Sequence, residues 1–145
     1  MNILELAELI AKESFRNKKD KAGRPYYGHL NRVREMAKIS AGNWDYIQVV
    51  ALLHDLLEDC PEWNETILRH FFSTAIVDSI VFLTKTNGQN YDSYIENISN
   101  NEWARVVKIA DLKDNMDITR LESLDEKDFE RLNKYHKAYK KLTSI

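Results

Sequence analysis

The chain has 145 residues, 43% of them hydrophobic, enough for one packed core and short of two ordinary domains, so a single domain over 1–145 is expected. Its 21 basic and 23 acidic side chains nearly cancel to a net charge of −2, which gives no global pull toward nucleic acid or an acidic membrane. The lone cysteine, Cys60, cannot form an internal disulfide; with no signal-like start and no run of ~18 apolar residues, a cytoplasmic setting is expected.

Glycine and proline are scarce, four and two, and apolar residues recur at three and four, so helices are expected throughout, about seven to eight of them. Ile3, Leu6, Ala7, Ile10 and Ala11 form the apolar face of a first helix that ends near Phe15. A basic loop from Asn17 to Pro25 follows, broken by Gly23 and Pro25. The second helix carries Leu30, Val33, Met36 and Ala37 and stops at Gly42. Asn43 is the expected cap of a third helix that runs from Trp44 to about Leu57. Asn64 and Ser73 cap two short helices with Ile67, Leu68, Phe71, Ile76, Ile80 and Leu83 facing inward. After a Gly88 loop, helices are expected over Tyr91 to Ile98 and Trp103 to Met116. Asp125 caps the last helix, which contains Phe129, Leu132, Tyr135, Ala138, Tyr139 and Leu142.

Two stretches place ionisable groups where apolar ones are expected. Val49 to Asp59 is largely aliphatic, yet it holds His54, Asp55, Glu58 and Asp59 and no lysine or arginine. An ionised carboxylate without a partner is costly to bury, and a divalent cation would compensate it. On a continuous helix His54 and Glu58 would stack, as would Asp55 and Asp59, four residues apart. His54 and Asp55 themselves diverge by about 100°, so further ligands must come from other helices. The second stretch, Val106 to Met116, sets Asp111 in an apolar stripe with Asn115 one turn on. His29, at the head of the second helix, is the third contributor. Imidazole nitrogen with carboxylate oxygen suits Mn²⁺ first, with Fe²⁺ or Co²⁺ as alternatives and Zn²⁺ less favoured without thiolates.

At these residues the chain resembles the HD-domain metal phosphohydrolases, and most the hydrolase domain of RelA/SpoT proteins and its small stand-alone relatives. The HD pattern matches His29, the His54-Asp55 pair and Asp111. Glu58-Asp59 matches that branch's Glu-Asp, and Ala110-Asp111-Leu112-Lys113-Asp114-Asn115 its Ala-Asp-x-x-x-Asn. Upstream, Lys19-Asp20 through Gly23, Pro25-Tyr26 and His29 follow its Lys-Asp-x-x-Gly-x-Pro-Tyr-x-x-His. A weaker echo is Arg131-x-x-x-Tyr135 in the last helix. Two segments depart from the pattern: 120–128 lacks a Thr-Pro-x-Gly-Trp type of run, and 83–94 differs throughout.

The resemblance implies an all-α HD-type bundle that hydrolyses a nucleotide, with guanosine tetraphosphate or pentaphosphate the leading substrate and pyrophosphate the product. It implies one divalent cation on His29, His54, Asp55 and Asp111, with Glu58 and Asp59 acting on water. The alternatives are an HD-type phosphatase for another nucleotide and a regulatory module that binds without hydrolysis. Lys18, Lys19 and Arg24 in the loop before His29 are expected to meet substrate phosphates. Lys85, Tyr91, Asn115 and Tyr135 are expected at phosphate, ribose or base, and Lys108 to neutralise the cluster. The expected partner is a small nucleotide, with no nucleic acid and no membrane.

Overall fold

Side-chain caps begin most of the helices in the computed structural model, which describes residues 1–144. Asn2 accepts from the Glu5 amide and opens α1 (Ile3–Ser14); Pro25 and Tyr26 lead without a side-chain cap into α2 (Tyr27–Ala41). Asn64 and Ser73 cap α5 (Glu65–Arg69) and α6 (Thr74–Phe82), as expected from the sequence. Asn90 and Asn101 cap α7 (Tyr91–Ile98) and α8 (Glu102–Met116). Asp125 and Asp128 form a reciprocal capping box at the head of α9 (Glu126–Thr143). Each cap satisfies an amide the helix leaves free and contributes about 1 kcal/mol. A single turn of 3-10 helix, Ile118–Arg120, joins α8 to the loop before α9.

The third helix departs from expectation at both ends. Asn43 does not cap it; the cap position is Trp44, and Asn43 accepts instead from the buried Gln48 side chain at 3.0 Å. The helix then stops early. It divides into α3 (Asp45–Leu53) and a short α4 (Leu56–Asp59), with His54 and Asp55 in the turn between. The His54 ring bonds the Ala51 carbonyl at 2.6 Å, the oxygen that would accept the Asp55 amide in an unbroken helix. Counting α3–α4 as one broken helix leaves eight, and no strand longer than an isolated bridge occurs among the described residues.

α3 is the axis of the fold. Every residue from Ile47 to Leu53 is buried, and α1, α2, α6 and α8 pack around it. α8 in turn packs on α2 and α9, so α2, α3 and α8 meet pairwise. The buried apolar residues form one continuous cluster. No helix among the described residues is long and apolar enough to cross a membrane.

One aromatic expected inside is outside. Phe71 is exposed and Phe72 takes its place in the core, because α5 ends at Arg69 and the following turn shifts the phase. Phe129 is exposed as well. It lies nine residues before the buried Ala138, about half a turn out of phase on α9.

Candidate metal centre

The break in the third helix brings His54 and Asp55 to one point. There α2 delivers His29 and α8 delivers Asp111. His29, His54 and Asp111 are 3%, 2% and 4% exposed, and each offers one donor atom to a common group within 4.8 Å. His29 Nε2 lies 3.0 Å from Asp111 Oδ1 and 3.8 Å from Asp55 Oδ2. His54 Nε2 lies 3.2 Å from Asp55 Oδ2 and 3.3 Å from Asp111 Oδ1. Despite these distances, neither Nε2 has a hydrogen-bond partner, since the approach is off the ring N–H direction.

Buried polar atoms without partners are rare. Donors held about 2.1 Å from one cation at right angles would sit about 3 Å from one another, the spacing found here. The donor set, two imidazole nitrogens and carboxylate oxygens, fits a divalent transition ion.

The other nitrogen of each ring is engaged. His54 Nδ1 must donate, because its partner is the Ala51 carbonyl; His29 Nδ1 lies 2.6 Å from Asp114 Oδ2. Both contacts aim the Nε2 atoms at the centre, where a bound cation would hold the rings in the neutral form. The carboxylates are held too. Tyr26 donates to Asp55 Oδ2 at 2.5 Å. Lys108 donates to Asp111 Oδ2 at 2.9 Å, and Asn115 to Asp111 Oδ1 at 3.0 Å. The expected neutralising role of Lys108 therefore has a direct contact behind it. The α3–α4 stretch has no lysine or arginine of its own, and cations reach the acids from across the fold, Lys108 from α8 and Lys18 from the 17–25 loop.

Charge balance governs the titration of these groups. Burial raises Asp111, but Lys108 and the histidines outweigh it and hold it well below the carboxylate range. Asp55 is likewise held at about 2 against burial, chiefly by His54. Burial lowers His29, and its contacts with Asp111 and Asp114 carry it up to about 9. Both carboxylates are thus ionised at neutral pH, as ligands to a cation must be.

Glu58 and Asp59 follow on α4, where their side chains engage distant elements. Glu58 Oε1 accepts from the Lys85 amide, and burial raises its carboxyl. Asp59 pairs with Lys18 at 2.6 Å, while its amide bonds the Asp55 carbonyl at 3.1 Å. Cys60 is buried beside Ser14, with its thiol pushed by burial to about 11, in keeping with a structural role.

A cavity of about 330 Å³ opens beside His29. Lys18, Lys19, Asn115 and Tyr135 line it, bringing four of the expected substrate residues together. Lys85, Tyr91 and Lys108 stand outside its lining, and so does Arg24. Arg24 is exposed on a turn where its backbone pairs with Asp20 and Gly23 takes φ +79.

No family model and no curated protein matches the chain. A solved structure does: that of a metazoan ortholog of SpoT that hydrolyses ppGpp and plays a role in starvation responses. The TM-score is 0.79 at 21% identity, over 99% of this chain and 85% of the other. The two chains share one fold.

Within that fold, the chain carries contacts that sequence reasoning missed. In the sequence Tyr26 and Asp114 stand only as positions within motifs, with no role marked by their neighbours. Asp114 sits between His29, Arg32 (2.7 Å) and Arg120 (3.2 Å). Burial raises its carboxyl, yet the bonds from His29 and Arg32 bring it down to about 2. A signal was present: Asp114 lies three residues after Asp111, and Arg32 three after His29, so each pair shares a helical face.

Proposed function

We propose that the chain is a divalent-cation-dependent phosphohydrolase of the HD type, acting on a nucleotide in the cytoplasm as a single domain. Guanosine tetraphosphate or pentaphosphate is the leading substrate, with pyrophosphate released. The carrying observation is the pair of buried Nε2 atoms, His29 and His54, left without hydrogen-bond partners between two ionised carboxylates. The fold shared with a protein that hydrolyses ppGpp supports the choice of substrate.

His29, His54, Asp55 and Asp111 would hold the ion, Mn²⁺ by preference, with Fe²⁺, Co²⁺ or Zn²⁺ as alternatives. When bound, the ion supplies Lewis acidity that makes water a better nucleophile and draws charge from phosphorus. Tyr26, Lys108 and Asn115 keep the two carboxylates in place. Glu58 has one oxygen occupied by the Lys85 amide and the other, Oε2, available to take a proton from water. Burial raises its carboxyl, the direction that makes it a stronger base toward water. Asp59 anchors Lys18, which lines the cavity with Lys19 and would meet phosphate oxygens there. Tyr135, with Ile118, Leu121 and Leu132, gives the cavity an apolar side suited to a base.

The test is a panel of nucleotides incubated with the Mn²⁺-loaded chain, with pyrophosphate and orthophosphate assayed separately. Pyrophosphate from guanosine tetraphosphate is the expected result; no release from any nucleotide would overturn the reading. Glu58→Gln should retain the metal and lose about 10²- to 10⁴-fold in kcat. Turnover equal to wild type would remove Glu58 from the proton transfer.

A further inference from the structure

Tyr94 is buried on α7, and its hydroxyl serves a different helix. It donates to the Leu83 carbonyl at 2.7 Å. Leu83 is the C-cap of α6, where carbonyls run out of intrahelical donors. Burial raises the phenol, so it stays protonated and keeps that role. Thr84 is tied to the same helix end, its amide to the Val81 carbonyl at 3.0 Å and its hydroxyl to the Ile80 carbonyl at 2.8 Å. The next amide, that of Lys85, donates to Glu58 across the fold. Beyond it the loop closes on itself. The Gln89 amide donates to the Thr86 carbonyl at 3.1 Å, and the Gln89 side-chain oxygen accepts from the Thr86 amide at 3.2 Å. The Lys85 amide is thus held from both sides, while the Lys85 side chain is exposed.

The ring of the same tyrosine faces the metal centre. Lys108 Nζ lies 5.2 Å from the Tyr94 ring centre, a cation–π distance, and donates to Asp111 Oδ2 at 2.9 Å. Hydroxyl and ring therefore back two different supports: the chain end that fixes Glu58 Oε1, and the ammonium that fixes Asp111. Glu58 stands on a helix of only four residues, and a group that takes a proton from water must stay within hydrogen-bond reach of it. A main-chain donor locked at both ends limits the rotamers of that carboxylate. We propose that Tyr94 is a positioning residue for the reaction, holding Glu58 through Leu83 and the Lys85 amide, and Asp111 through Lys108. Lys85 then acts through its main chain. This rests on the phosphohydrolase reading for the role of Glu58.

Tyr94→Phe removes one atom and leaves the ring beside Lys108. In the Mn²⁺-loaded full chain it should lower kcat about tenfold, with the metal retained and KM little changed. The acidic limb of the kcat profile should also move to higher pH, because burial raises the Glu58 carboxyl and the Lys85 amide offsets part of that. Lys85→Pro deletes the amide and Lys85→Ala keeps it, so the proline variant should lose at least about tenfold more in kcat than the alanine variant. Proline also restricts Thr84, so Tyr94→Phe carries the test if that variant does not fold. A readout without turnover is the carbon-13 shift of the Glu58 carboxyl, identified by its loss in Glu58→Gln and followed against pH with and without Zn²⁺. Its midpoint should rise in Tyr94→Phe and in Lys85→Pro. A midpoint equal to wild type in Tyr94→Phe would overturn the proposal, as would a Tyr94→Phe protein of lower stability with wild-type kcat and pH profile. If no nucleotide is hydrolysed, the phosphohydrolase reading fails, while the titration still decides whether Tyr94 positions Glu58.

Discussion

Asp111→Ala will abolish metal retention and reduce turnover to background. No other side chain in the centre makes so many contacts: one carboxylate oxygen lies 3.0 and 3.3 Å from the two histidine Nε2 atoms, the other 2.9 Å from Lys108. Its removal takes away one ligand and leaves the buried Lys108 ammonium without its counter-charge. Breaking a buried pair from one side costs about 3–5 kcal/mol, so the variant will also be less stable. Metal content after dialysis against Mn²⁺, read by elemental analysis, checks the first part, and chemical denaturation the second. A variant that retains one equivalent of metal would remove Asp111 from the ligand set. Asp55→Ala should behave alike toward metal and turnover, and should leave the Tyr26 hydroxyl without its acceptor.

Asp114→Ala will weaken metal binding by about 10- to 100-fold without removing a ligand. The carboxylate holds His29 through Nδ1, and the loss of such a support typically has that size. Asp114→Asn keeps an acceptor for the ring and should fall between wild type and Ala. Stability follows from the same contacts. The carboxyl is lowered from 3.8 to about 2, so its contribution is present above pH 4 and is lost as pH falls toward 2. That shift corresponds to a contribution on the order of 2 kcal/mol. Denaturation curves of the metal-free proteins at pH 5 and pH 2.5 should therefore show the gap between wild type and Asp114→Ala narrowing in acid. A gap independent of pH would mean that packing, rather than charge, carries the role of Asp114.

These two carboxylates differ in how visible they are in the sequence. Asp111 stands out because an acid in the stripe Val106, Val107, Ile109, Ala110 has no place in an apolar face unless something compensates it. Asp114 occupies the same helix among polar neighbours, where an acid is unremarkable. Only the packing of α2 against α8 makes it the partner of His29. Arg32 and Arg120 are similar: ordinary surface cations in the sequence, they converge on one buried carboxylate in three dimensions.

The amino-acid sequence by itself determined the helical class, most of the helix boundaries and the candidate ligands. Periodicity, caps and breakers act over a few residues, and an acid or histidine in an apolar run is costly wherever the chain goes. Tertiary structure decided the rest. The break at His54-Asp55 depends on a ring-to-carbonyl bond inside a crowded core, and periodicity points the other way, toward one continuous helix. The partners of the carboxylates come from distant elements: Tyr26 for Asp55, Lys18 for Asp59 and the Lys85 amide for Glu58. Such contacts arise when helices pack and long loops close, and no local rule encodes which distant charge arrives. The four candidate ligands could thus be proposed from the chain, while the side chains that hold them in place could be read only from the fold.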